Sequence, residues 1–289
     1  MEQFTEQTIF DNAVEYGSRG PAQFPRIKEL WIILLVFVGI YLLSNMIYII
    51  PMIIEGRTIQ ELPQIVETYM WPQNIVFNIL FGSYIYWRYK RSNHTSRKFG
   101  FTKVTYKLTV AVFASTVYLT CILYGTLDLL GIRSSFESYY DLFNPDIHLW
   151  GMLMNALVDI ACVVFIQTGI FMDGLLKNYK PGKAILLGSL FLSLGMINPS
   201  NIITSFVWTA GSAMIYYYME SLSYVIVFGI ATYAVPMLLP EIQRQYPKFQ
   251  MLGSPNPLAL GLCLLLFVLS FYPIVRDIIA RRKQQSSSN

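Results

Sequence analysis

Long apolar runs constrain this chain more than any other feature it has. Eight can be marked off: Leu30 to Ile54, Tyr69 to Trp87, Tyr106 to Leu130, Leu149 to Met172, Ala184 to Ile197, Ile202 to Met219, Tyr224 to Leu239 and Pro257 to Val275. An α-helix needs about 20 apolar residues to cross the hydrocarbon of a bilayer, and most of these runs have that length. The fifth has only 14 residues before "NPSN" breaks it, which is short for a span at about 1.5 Å per residue. A chain in lipid must satisfy its backbone hydrogen bonds internally, so such runs are expected to be helices. The expected fold is all-α, a polytopic transmembrane bundle of about eight helices. Residues 30–276 form one helical domain between a cytoplasmic N-terminal segment, 1–29, and a basic, disordered tail, 277–289.

Composition agrees. Of 289 residues, 54% are hydrophobic and only 13% charged, against about 25% charged in soluble domains. The mean hydropathy is +0.46. A net charge of +4 raises the question of nucleic acid, but the positions of the charges answer it. Arg19, Arg26 and Lys28 precede the first run. "RYKRSNHTSRK", Arg88 to Lys98, carries five Lys or Arg and no acid. Lys177, Lys180 and Lys183 follow the fourth run, and Arg276, Arg281, Arg282 and Lys283 follow the last. The alternate loops, Glu55 to Thr68 and Ile132 to His148, carry one Arg and three acids each. With eight alternating helices every basic loop falls on one side, so the positive-inside rule puts both termini in the cytoplasm. The lipid bilayer is the expected partner and nucleic acid is not. About 25 polar residues precede the first run, unlike a cleaved signal peptide, so that span is expected to stay in the mature protein.

Ionisable groups inside apolar runs are costly and are the first functional candidates. Asp159 lies in the middle of the fourth run, and Asn155 shares its helix face at i, i+4. Two readings stand side by side: helix–helix glue bonded to Ser, Thr or Tyr of neighbouring spans, or a ligand or proton site. Cys121, Cys162 and Cys263 fall inside apolar runs without CxxC spacing and read as small buried hydrophobes. His94 and His148 lie in or beside loops, so no metal site and no cofactor is expected. HExxH, P-loop and GxSxG patterns are absent. "YYYM", Tyr216 to Met219, reads as interface anchoring.

The eight-span pattern resembles the family of CAAX-processing membrane proteases and bacteriocin-immunity proteins, the CPBP or Abi family. "RKFGFTKVTYKL", Arg97 to Leu108, looks like that family's lead-in to its third helix, and the likeness covers about 99–239. The family's first motif is a Glu pair, two residues, Phe and Arg. In "QTGIFMDGL" Gln167 and Thr168 stand for the Glu pair, Phe171 keeps the Phe, and Met172 replaces the Arg. The second motif is Phe, three residues, His, for which "SLFLSLGMI" offers Leu192 and Met196. The third is a His followed four residues later by Asn, after Ser-Leu. Here Ser221 and Leu222 are kept, while Gly229 and Tyr233 take the His and Asn positions.

In active members the resemblance implies a water activated by Glu and His, with the second His and Asn stabilising the oxyanion. Gln167 cannot act as a general base near neutral pH, and Met196 and Gly229 can neither take a proton nor donate one to an oxyanion. The resemblance therefore implies a non-proteolytic member in a bacterial plasma membrane, a scaffold or regulator with a membrane-protein partner held through its spans. The alternatives are a protease using other groups, such as Asp159, Asp173 or Glu220, and a small membrane transporter.

Overall fold

The computed structural model describes residues 24–56, 62–92, 100–132, 145–196, 199–245 and 256–288. Among these every regular element is helical: α1 (Ile27–Ser44), α2 (Met46–Glu55), α3 (Leu62–Ser92), α4 (Tyr106–Leu129), α5 (Pro145–Ala161), a π-helix (Cys162–Met172), α6 (Asp173–Asn178), α7 (Pro181–Ser193), α8 (Pro199–Met219), α9 (Leu222–Gln245) and α10 (Pro257–Ser288).

Each apolar run is mainly helical where it is described, but the fifth leaves its helix at Leu194, so that Met196 lies in the turn beyond it. The first divides at Asn45 into α1 and α2, and α2 ends on Gly56 with φ 63°, the left-handed cap that glycine adopts without strain. The fourth run passes from α5 through the π-helix into α6. Helix α10 continues past the last apolar run to Ser288. His94 lies outside the described residues, as do most of the loops used to assign orientation.

Four stretches are long and apolar enough to cross a membrane: Ile27–Ile54, Tyr106–Leu129, Leu153–Asn178 and Pro257–Ala280. Helices α3 and α8 are equally long but less apolar. The reason is visible in their residues: α3 carries Gln73, Asn74 and Asn78, and α8 carries Asn201, Thr204, Ser205 and Thr209. Except for Gln73, all of these line an internal cavity.

The π-helix is the hub and touches α3, α5, α6, α7, α8 and α9. Its Val164, Ile170, Phe171 and Met172 are buried among Leu30, Phe37, Phe81, Ala213 and Val225. Glycine sets the spacing to α7, because a Cβ on Gly188 would stand 2.6 Å from the Met172 sulfur. Helices α9 and α10 both lie along α4, with Leu108, Val112, Tyr224, Phe228 and Ile274 buried between them. All three cysteines are buried thiols, as their apolar settings suggest.

The first described residues are held against the hub. Phe24 is buried, and the Asn178 amide donates to the Pro25 carbonyl at 3.1 Å. The Ile27 N–H donates to the Tyr179 hydroxyl at 3.0 Å. Glu29 joins this segment to α3 through an ion pair with Arg88 at 3.2 Å. A side chain on Gly174 would run into the Phe24 carbonyl, so glycine is what allows this approach.

Candidate functional site

The cavity at the centre of the bundle has a volume of about 330 Å³, within the range of small-molecule sites. Helices α1, α3, α4, α5, α7, α8 and α9 and the π-helix all contribute to its wall, while α10 lies outside it.

Its chemistry is unusual for the interior of an apolar bundle. The carboxamides of Asn74, Asn78, Asn155, Gln167 and Asn201 line it, together with the hydroxyls of Thr204, Ser205, Thr209 and Thr232. Asp159 is the one charged side chain among the described residues that line it. No His, Cys, Glu, Lys or Arg is among them.

Asp159 anchors a polar cluster. Asn155 donates from Nδ2 to one carboxyl oxygen at 2.8 Å, and Asn78 donates to the other. The Tyr233 hydroxyl also hydrogen-bonds the carboxyl. These donors come from α3, α5 and α9, so the cluster ties three helices together while facing the cavity. The pair is thus inter-helix glue and also part of a cavity wall. One acceptor is left over. Asn155 is 3% exposed, yet its Oδ1 has no hydrogen-bond partner among the described residues.

Gln167, Leu192, Met196, Gly229 and Tyr233 all line this same cavity. They come from the π-helix, α7, the turn after α7 and α9, and Gln167 is 66 positions from Tyr233 in the chain. The remaining motif positions point elsewhere. Thr168 is buried against α8, where its hydroxyl donates to Ser212 at 3.5 Å. Phe171 and Met172 belong to the apolar core. Adjacent residues on any helix point in different directions, and only Gln167 of the "QT" pair reaches the cavity.

The two stretches that most resemble the family's lead-ins touch one another. The Leu222 N–H donates to the Gly100 carbonyl at 2.8 Å, and the Thr102 N–H donates to the Ser221 hydroxyl at 3.2 Å. Ser223 donates back to the Thr102 carbonyl at 3.1 Å. The chain entering α4 is thereby pinned to the turn between α8 and α9, where Glu220 adopts φ 52°.

A second polar centre was not legible as such. Asp173 is fully buried. Tyr216 donates to its Oδ1 at 3.0 Å, and the Lys177 ammonium lies 3.6 Å from Oδ2. Tyr216 is therefore a buried hydrogen-bond donor, where the sequence reading expects an interface anchor; the carboxyl supplies the partner that a buried phenol requires. Asp173 and Glu220 do not line the cavity. No group of three or more His, Cys, Asp or Glu able to hold a metal ion occurs among the described residues.

The arrangement offers hydrogen-bond donors, acceptors, one carboxyl and aromatic faces. It lacks, among the described lining residues, a nucleophile–base pair or an imidazole. No protein-family model matches the chain, and no curated protein or solved structure does either.

Proposed function

We propose that this chain is a multi-pass membrane protein of CPBP type whose protease site has lapsed into a binding cavity. In this reading it acts as a scaffold or regulator for a membrane or cell-envelope partner held through its spans. The observation that carries the proposal is the meeting of Gln167, Met196, Gly229 and Tyr233 in one polar cavity. That positions aligned to separate motifs meet in one cavity supports the alignment.

The eight-span topology, with both termini cytoplasmic in a bacterial plasma membrane, belongs to the same proposal. It adds α3, α7, α8 and α9 to the four apolar stretches. Large hydrophobic side chains cover the outer surface, including Leu35 at 71%, Ile54 at 78% and Leu258 at 83% exposure. Apolar surface on that scale suits lipid better than water.

The test is an activity assay on purified protein in bilayer discs. Offered prenylated and unmodified membrane peptides, the protein is expected to leave them intact while a defined membrane protein co-purifies with it from native membranes. Cleavage that disappears in Asp159→Asn would overturn the proposal in favour of an active protease.

A further inference from the structure

The scaffold reading leaves the occupant of the cavity unspecified. We propose that the cavity takes a small organic ammonium ion, seated on the Asp159 carboxylate and the Asn155 carbonyl oxygen and walled by aromatic rings. This rests on the reading of the cavity as a binding site, but not on any protein partner.

Charge is the first argument. Asp159 receives hydrogen bonds from Asn78, Asn155 and Tyr233. All three donors are neutral, so they hold the carboxylate in place without cancelling its charge. Among the described residues no Lys, Arg or His lines the cavity to do so. A half-buried carboxylate without a counter-charge is costly, and a cationic guest offsets that cost.

The second argument is the acceptor left over. Asn155 turns its Nδ2 to Asp159, which leaves Oδ1 buried and without a hydrogen-bond partner among the described residues. A cation with N–H donors, or with polarised C–H groups, fits an acceptor next to a carboxylate.

The third argument is the wall. Trp208 and Phe228 meet edge to face with centroids 5.9 Å apart. Phe37 packs edge to face on Phe77 at 4.8 Å and on Phe81 at 5.2 Å. Ring faces attract organic cations, and Trp does so best. A bare metal ion would have no use for them. The volume of about 330 Å³ is also far more than such an ion fills.

The test uses the full-length protein in bilayer discs and a buffer free of amines. Choline and tetramethylammonium are the probes, with 3,3-dimethylbutanol as an uncharged probe of choline's shape and sodium chloride as the inorganic control. Tryptophan fluorescence and melting temperature are the readouts. Both ammonium probes should give a saturable change that the uncharged probe does not. Asp159→Asn should weaken their binding by about tenfold or more, as expected for losing a hydrogen-bonded charge. Trp208→Leu should weaken tetramethylammonium and choline alike. The arms on the unmutated protein decide the matter even if Asp159→Asn fails to fold. Equal response to 3,3-dimethylbutanol, no response to either ammonium probe, or the same response to sodium would each overturn the inference. A partner found by co-purification without ammonium binding would leave the scaffold reading standing and remove this one.

Discussion

Of the positions aligned to the motifs, Gln167, Leu192, Met196, Gly229 and Tyr233 face the cavity, whereas Thr168, Phe171, Met172 and Ser221 are packed against protein. Ser221 accepts from the Thr102 N–H and the Ser223 N–H, both at 3.2 Å, and Phe171 fills the core. Neither job involves chemistry on a guest. Ser221→Ala should cost about 1 kcal/mol, read as a lower melting temperature, with faster protease cutting near residues 100–105. Asp173 is the opposite case, because its setting could not be read from sequence. Its hydrogen-bond partner Tyr216 is 43 positions away, and no local pattern announces the pair. Tyr216→Phe should therefore destabilise the protein by about 1–3 kcal/mol, the cost of depriving a buried acceptor of its donor. Thermal unfolding in detergent would show it. Asp159 was singled out because a carboxyl in an apolar run is conspicuous, and Asn155 because of its i, i+4 spacing. The donors Asn78 and Tyr233 come from distant helices, and only the fold assembles them.

Helices were legible because length and hydrophobicity dictate them, but their internal variations were not. Nothing in "CVVFIQTGIFM" distinguishes a π-helix from an α-helix by composition, and π-turns are uncommon enough that none is expected from pattern alone. In this segment Gln167 faces the cavity while Thr168, Phe171 and Met172 face protein. The reduced hydropathy of α3 and α8 has a specific origin in the amides and hydroxyls that they give to the cavity. Several hydroxyls are satisfied within their own helices, as when Thr204 donates to the Ser200 carbonyl at 2.8 Å and Ser193 to the Ser189 carbonyl at 2.8 Å. The contact between α7 and the π-helix depends on Gly188. Gly188→Ala should destabilise by about 1–3 kcal/mol through overpacking against Met172 and Leu175. Gly182→Ala, which meets no atom within 4 Å, serves as the control. Equal melting temperatures for the two variants would contradict this packing.

The molecule combines an apolar exterior with an apolar core that contains a polar-lined cavity. Charge placement in the loops predicts the orientation of this bundle, although most of those loops lie outside the described residues. Reporter fusions after Arg91 and after Lys283 should read cytoplasmic, and fusions within 57–61 and 133–144 should read external. A chain crossing the membrane only four times would break that alternation. The proposed scaffold function has a membrane-protein partner reach a cavity that gathers positions far apart in the chain. Photo-crosslinking residues placed singly at Gln167, Met196 and Tyr233 test it most directly. In native membranes all three should capture the same membrane protein, while Leu258, Leu262 and Leu265 on the outer face of α10 should not. Three unrelated adducts, or one adduct formed equally well from α10, would contradict the account.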